Sequence, residues 1–169
     1  MHKKINEIVQ ATYDAGIDIS FTTNGTHMDE AFIKSSLPLI QWIKLSVNAG
    51  KPATYAKIHQ TKERDFDKVI ENIAKATRVK REQNLTSTIG VQTLLLPENA
   101  DEIEELARLC RDELNVDYLV IKSYSQVEMS HNKKYAKIDY SPYINIVERL
   151  DASNTDKFKV IFRENSINK

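Results

Sequence analysis

The sequence has little cysteine, glycine or proline, no excess of charge of either sign and no long hydrophobic run. Its 169 residues include one cysteine, four glycines and four prolines, so a disulfide framework and a site built on several cysteines are both excluded. Lysine plus arginine number 24 and aspartate plus glutamate also number 24. This balance gives no net field that would favour nucleic acid or an anionic membrane as a partner.

No apolar run approaches the roughly 20 residues that cross a bilayer, and the first residues, MHKKINEIVQ, lack the apolar core of a signal peptide. The one thiol also fits a reducing compartment. The sequence therefore predicts a soluble, cytoplasmic protein with neither nucleic acid nor a membrane as its partner.

The residue types that most often bind metals or carry thiol chemistry are scarce and isolated. Cys110 lies at helical spacing from Ile103 and Leu106, which predicts a packing role in the core. His27 and His59 lack a second histidine or a carboxylate at ligand spacing. No metal site is predicted in this chain.

Strand-like and helix-like segments alternate along the chain. The strand-like segments are apolar almost throughout, which is typical of parallel strands buried on both faces. They are IDISFTTNG (17–25), IQWIKLSVNAG (40–50), STIGVQTLLLPEN (87–99), NVDYLVIKSYSQ (115–126) and, later, DKFKVIFREN (156–165). This α/β pattern suits either a doubly wound sheet or an arc of a β/α barrel. Neither GxGxxG nor GxxxxGK[ST] occurs to favour the first.

Between the predicted strands, apolar residues recur at helical spacing. In the longest such segment Phe66, Val69 and Ile73 lie on one face, and Asp65 is placed as a plausible helix N-cap. Trp42, by contrast, lies within an apolar strand and is predicted to belong to the core.

Polar residues cluster where the predicted strands end. In parallel α/β folds, ligands bind outside the carboxyl ends of the strands. Any one of these ends is also explained as an ordinary turn or loop cap, but their recurrence favours a shared site for a ligand with ribose-like hydroxyls, a carboxylate or amine, and an aromatic base. The ends are TTNG (22–25), SVNAG (46–50), QTLLLPEN (92–99) and IKSYSQ (121–126).

The order of these motifs resembles that of the radical S-adenosylmethionine superfamily, whose members are partial β/α barrels. In that family the third strand commonly ends in Thr-Asn-Gly, matched here by Thr23, Asn24 and Gly25. The fourth carries a Ser- or Asn-type ribose contact, matched by Ser46 and Asn48. The resemblance implies a parallel, TIM-like barrel fragment and contacts to S-adenosylmethionine from these residues.

By the same analogy the next two strands flank the adenine and the substrate. This implies a cofactor contact at Gln92 and substrate contacts at Lys122, Tyr124 and Gln126. If Lys122 points into the barrel, it would pair with a substrate carboxylate or phosphate. If Lys122 points to the helix-covered side, the aliphatic part of its side chain only runs past the helices and makes no substrate contact. No catalytic residue is assigned. The substrate is a small molecule or a peptide, and the sequence does not identify it.

Two family motifs are missing from the sequence. Radical members bind a 4Fe-4S cluster through CxxxCxxC, because three thiolates leave one iron open for S-adenosylmethionine, and a Gly-Gly-Glu segment contacts the methionine amine. Neither occurs here. We therefore expect no tightly bound cofactor in this chain, although the parent family uses both S-adenosylmethionine and the cluster.

The resulting interpretation is a truncated radical S-adenosylmethionine domain. Residues 1–126 are expected to supply the third to sixth strands of the barrel, and 127–169 a C-terminal helix and strand extension. As an isolated chain it is expected to be inactive, which leaves open whether it should be called an enzyme. The alternative is a non-catalytic binding or scaffold module built on the same arc. Because two strands would be missing, the edge of the strand at 17–23 is expected to pair in a homodimer.

Overall fold

A computed structural model of the chain describes residues 2–125 and 133–163. Its centre is one open sheet of five parallel strands in the order β1-β2-β3-β4-β5. The strands are β1 (Ser20–Thr23), β2 (Trp42–Ser46), β3 (Thr88–Leu95), β4 (Tyr118–Ser123) and β5 (Lys159–Arg163). The predicted α/β class and parallel sheet are confirmed, and the fold is that of a partial β/α barrel.

Helices connect the strands, as parallel pairing requires. They are α1 (Ile5–Asp14), α2 (Glu30–Ser35), α3 (Pro52–His59), α4 (Glu63–Glu82), α5 (Ile103–Arg108) and α6 (Ile144–Asp151). Asp29 caps α2 by accepting a hydrogen bond from the backbone N–H of Phe32 at 2.8 Å. In the described part of the chain, no helix combines the length and apolarity that crossing a membrane requires.

The segment between β2 and β3 differs from its prediction. It forms two helices, because Pro52 suits a first helical turn and Gln60, with φ 53°, ends α3 in the left-handed region. Asp65 is not the N-cap of α4. Lys62 takes that position, and Asp65 lies three residues inside, where its carboxylate accepts hydrogen bonds from the Lys62 backbone N–H and the Thr61 hydroxyl.

Alternate residues of each strand point to opposite sides of the sheet. One side is covered by helices and holds the apolar core, with the strand residues Ile43, Leu45, Ile89, Val91, Leu119 and Ile121 fully buried. The register places the residues that alternate with these on the other side, which we call the inner face. Its side chains include Trp42, Lys44, Ser46, Gln92, Lys122 and Arg163.

Two predictions about individual core residues had different outcomes. Cys110 is fully buried, as predicted, and burial raises the pKa of its thiol. Trp42 is not a core residue. Its side chain is 37% exposed on the inner face, with the Lys44 ammonium 5.3 Å from its ring centroid. The prediction failed because an apolar strand residue can belong to either face of the sheet.

Candidate functional site at the carboxyl ends of the strands

The loop after β1 is stabilised by its own polar groups. The Thr23 hydroxyl accepts a hydrogen bond from the Gly25 N–H at 3.2 Å, and the side-chain Oδ1 of Asn24 accepts from the backbone N–H and the hydroxyl of Thr26. The buried Asn72 amide of α4 donates to the Gly25 carbonyl at 2.9 Å. Thr23 and Asn24 therefore lie at the carboxyl end of β1, where the sequence placed them. Their hydrogen bonds also explain why the strand ends in these polar residues.

Asn48 joins the ends of β2 and β3. Its side-chain oxygen accepts a hydrogen bond from the Leu94 N–H at 2.9 Å, and its amide nitrogen lies 3.4 Å from Nε2 of His59. The buried Asn99 amide donates to the backbone carbonyls of Asn48 and Leu94, at 2.8 Å each, and its oxygen accepts from the Leu96 N–H. Asn48 and Asn99 thus set the spacing between two strand ends.

Ser46 and Gln92 are direct register partners on the inner face. Both side chains are half-buried, and neither makes a hydrogen bond to another residue of the described ranges 2–125 and 133–163. A half-buried hydroxyl and amide with spare hydrogen-bonding capacity are suited to a polar ligand. Of the predicted cofactor contacts, these two are the ones the fold leaves available side by side.

Lys122 points away from the helices. It pairs in register with Leu94 of β3 and Arg163 of β5, and its neighbours along the strand, Ile121 and Ser123, are buried on the helix side. Burial, followed by the positive charges of Lys44 and Arg163, lowers the pKa of the Lys122 ammonium. The orientation that the sequence left open is therefore the inward one.

The other two predicted substrate contacts follow β4. Tyr124 lies just beyond the strand, where its backbone N–H donates to the Tyr140 hydroxyl at 2.6 Å and its ring centroid is 5.5 Å from that of Tyr135. Gln126 lies outside the described residues. The Tyr140 hydroxyl also donates to the Leu95 carbonyl at 3.3 Å, so one side chain links the ends of β3 and β4.

The buried carboxylate of Glu102, near the carboxyl ends of the strands, was not predicted from the sequence. The Glu102 side chain accepts hydrogen bonds from the backbone N–H groups of Gly50 and Lys51, at 3.1 Å each, and from the Thr54 hydroxyl at 2.6 Å. It thereby supports the start of α3 from a residue about 50 positions away in sequence. Such a long-range contact leaves no local signal in the sequence.

Lys44 was also missed, although a signal for it exists. In the segment 42–49, the residues Ile43, Leu45 and Val47 are fully buried, and Trp42, Lys44, Ser46 and Asn48 alternate with them. This period of two predicts a strand with two different faces. An interpretation of the segment as continuously apolar hides the polar face.

The residues of this chain do not fit an iron-sulfur cluster. Cys110 is the one cysteine in the sequence, and it is buried among the helices. Over the described ranges, no group of three or more His, Cys, Asp or Glu side chains is arranged to hold a metal ion. Three thiolate ligands would have to come from elsewhere.

Comparisons with known proteins agree with this architecture. The model of the Radical SAM superfamily matches residues 1–110. A crystal structure of Streptococcus suis SuiB matches with a TM-score of 0.72 and 14% identity, over 95% of this chain and 36% of that chain. SuiB bound to S-adenosylmethionine gives a TM-score of 0.70, with the same identity and coverage.

A structure of TYW1 with a lysine-pyruvate adduct bound matches with a TM-score of 0.64 and 17% identity, over 89% of this chain and 45% of that chain. At such identities these structures support the fold alone. The chain spans less than half the length of each of them. No curated protein matches the chain.

Proposed function

The chain belongs to the radical SAM superfamily, and from that premise we propose that it forms the part of a radical S-adenosylmethionine barrel that contacts the cofactor's ribose and adenine and the substrate. The observation that carries the proposal is the pair Ser46 and Gln92. These side chains lie together near the carboxyl ends of β2 and β3, on the inner face, with no hydrogen bond to the other described residues. A ribose hydroxyl and an adenine edge offer complementary donors and acceptors.

The other predicted cofactor contacts also make hydrogen bonds within the protein. Asn48 already accepts from Leu94, and Asn24 already accepts from Thr26. We propose that these two, with Thr23, shape the edge and offer a ligand only their unused donors and lone pairs. Ser46 and Gln92 should therefore dominate the binding of a nucleoside.

We further propose that the isolated chain performs no radical chemistry. In the family, the cluster supplies the electron that cleaves S-adenosylmethionine, and one buried cysteine cannot hold such a cluster. After anaerobic incubation with iron and sulfide, we expect neither the visible absorption of a 4Fe-4S cluster nor 5′-deoxyadenosine when dithionite and S-adenosylmethionine are added. A reconstituted cluster would contradict this proposal.

Adenosine is the sharper probe of the binding site, because it keeps the base and ribose and lacks the amine and carboxylate. We expect weak, saturable binding of adenosine by calorimetry, reduced about tenfold by Ser46→Ala or Gln92→Ala, the effect of removing one or two good hydrogen bonds. Thr88→Ala is the matched control, since Thr88 lies on β3 at the opposite end of the inner face. Equal effects of all three substitutions would contradict the proposal, as would tight binding of S-adenosylmethionine.

A non-catalytic scaffold is the second candidate. The observation that favours it is the internal use of Thr23, Asn24 and Asn48, whose polar groups are explained by strand-end packing alone. A scaffold predicts no adenosine binding at all. The same titration therefore separates the two candidates.

A further inference from the structure

The inner face carries four cations. Lys44 and Lys159 lie in one cross-strand row, which runs from Lys44 through Gly90 and Tyr118 to Lys159. Lys122 and Arg163 are register partners four residues further along β4 and β5. The row between these two holds Ser46, Gln92, Val120 and Ile161. The cations therefore lie on one side of a single sheet, in two rows with one uncharged row between them.

No acidic residue accompanies them. The strand residues that the register assigns to this face include none of the chain's aspartates or glutamates. Within residues 2–125 and 133–163, none of the ion pairs involves Lys44, Lys122, Lys159 or Arg163. The chain as a whole is neutral, with 24 basic and 24 acidic residues, so this local excess comes from the fold and not from composition.

Lys122 lies among charges of its own sign. Lys122 is half-buried, and the charges acting on it from described residues are those of Lys44 and Arg163, both of the same sign. Like charges that share a partly desolvated surface repel each other more strongly than they would in bulk water. A bound anion would relieve this repulsion and accept charge-assisted hydrogen bonds from both Lys122 and Arg163.

The face is also shaped by a glycine. A Cβ at position 90 would lie 2.1 Å from Cζ of Tyr118, so the absence of a side chain lets the Tyr118 ring lie across β3 on the inner face. The phenol thus lies over Gly90, in the same cross-strand row as Lys44. Aromatic rings of this kind bury the apolar body of a ligand beside its charged group.

We propose that Lys122 and Arg163, supported by Lys44, bind a carboxylate or phosphate group of the substrate. The inference rests on the proposed function in treating the inner face as the ligand face. S-adenosylmethionine also has a carboxylate, but its sulfonium and ammonium make the cofactor a net cation, which a row of cations repels. The substrate is therefore the favoured source of the anion.

Titration of the chain with succinate and with inorganic phosphate, followed by NMR, tests the proposal. We expect saturable shifts at the amides of Lys122 and Arg163, and at least about tenfold weaker binding in Lys122→Gln and in Arg163→Gln, since each removes one charge-assisted hydrogen bond. Lys122→Arg should retain binding. Lys34→Gln is the matched control for loss of one positive charge, because Lys34 lies on α2 and pairs with Glu30.

The titrations with succinate, adenosine and S-adenosylmethionine distinguish an anion of the substrate from the carboxylate of the cofactor. They also test the anion site separately from the proposed cofactor contact. Adenosine binding should be unchanged in Lys122→Gln, so loss of succinate binding with adenosine binding intact supports the inference. If Lys122→Gln weakens S-adenosylmethionine and leaves succinate unaffected, the anion belongs to the cofactor and the substrate assignment is overturned. Absence of succinate and phosphate binding in a folded protein, or equal losses in Lys34→Gln, would also overturn it. Absence of adenosine binding alone refutes the proposed cofactor contact.

Discussion

Gly25 is the residue on which the loop after β1 depends. Its φ of 77° favours glycine, and a Cβ there would lie 2.9 Å from Cδ2 of Leu45 and 3.3 Å from Cγ1 of Val69. Gly25→Ala therefore adds crowding to backbone strain. We expect the free energy of unfolding to fall by about 2–4 kcal/mol, the sum of typical costs for these two effects.

Gly16→Ala is the matched control. Gly16 has a similar φ of 74°, but a Cβ would meet no atom within 4 Å. This substitution should cost only the strain, about 1–2 kcal/mol. Urea denaturation of both variants measures the difference, and equal losses would show that the contact with Leu45 and Val69 is unimportant.

His59 gives the chain a pH dependence of known sign. Burial lowers the pKa of its imidazole below 6.5, and the ring stacks on Tyr55 with centroids 4.2 Å apart. Below pH 6.5 the unfolded chain therefore binds more protons at this site than the folded chain, so stability falls as pH falls toward the folded pKa. We expect the urea midpoint to drop between pH 7.5 and pH 5.5 by more in the unsubstituted chain than in His59→Phe.

The phenylalanine variant keeps an aromatic ring against Tyr55 and removes the titrating group. All other ionisable groups are common to the two proteins, so the difference between the two pH profiles isolates His59. Parallel profiles would contradict this assignment.

At the scale of elements, α3 depends on Glu102 for its position. The carboxylate accepts three hydrogen bonds from Gly50, Lys51 and Thr54. Glu102→Ala should lower the free energy of unfolding by about 2–3 kcal/mol, as expected when buried donors lose a charged acceptor. Glu102→Gln keeps one acceptor oxygen and should lose less.

Glu104→Gln is the control for this element. Glu104 is close in sequence but exposed, and it pairs with Arg149 at the surface. Its replacement should change stability by no more than about 0.5 kcal/mol. A similar loss in Glu102→Ala and Glu104→Gln by thermal or urea denaturation would refute the supporting role of Glu102.

The elements that could be predicted from the sequence are those in which the apolar residues follow one sustained pattern. All five strands lie within segments that were identified as strands, because runs such as YLVIKS and KVIFR have few alternatives in an α/β chain. What could not be predicted is set by distance in sequence. The bonds from Asn99 to Asn48 and from Glu102 to Gly50 join residues about 50 positions apart, and no local pattern encodes them.

The same distinction applies to the candidate site. The location of the site was predictable, because it follows from the parallel topology. The presence of the polar residues Ser46 and Gln92 there was predictable as well. The pair of Lys122 and Arg163 could not be predicted, because no local pattern joins residues on two separate strands. The relation of Lys122 to Arg163 exists only once β5 pairs beside β4.

At the scale of the whole molecule, β1 lies at one edge of the sheet and, among the described strands, pairs only with β2. Ile17, just before it, is 60% exposed. We propose that two copies associate through this edge, which offers unpaired backbone groups to another strand. Light scattering during size-exclusion chromatography should give a mass about twice the 19.4 kDa of one chain.

Ile17→Lys tests the location of that contact, since a charge beside an edge strand opposes pairing. We expect this variant to shift the population toward the monomer at equal concentration. A strict monomer at high concentration in the unsubstituted chain would contradict the proposal.

The proposed function requires that the carboxyl ends of these parallel strands form one ligand site. An amide chemical-shift map recorded during titration with adenosine tests it most directly. We expect the perturbed amides to cluster around Ser46, Asn48 and Gln92, at the ends of β2 and β3. Perturbations centred on Trp42 and Thr88 at the opposite end of the sheet, or on the helix-covered side, would contradict it.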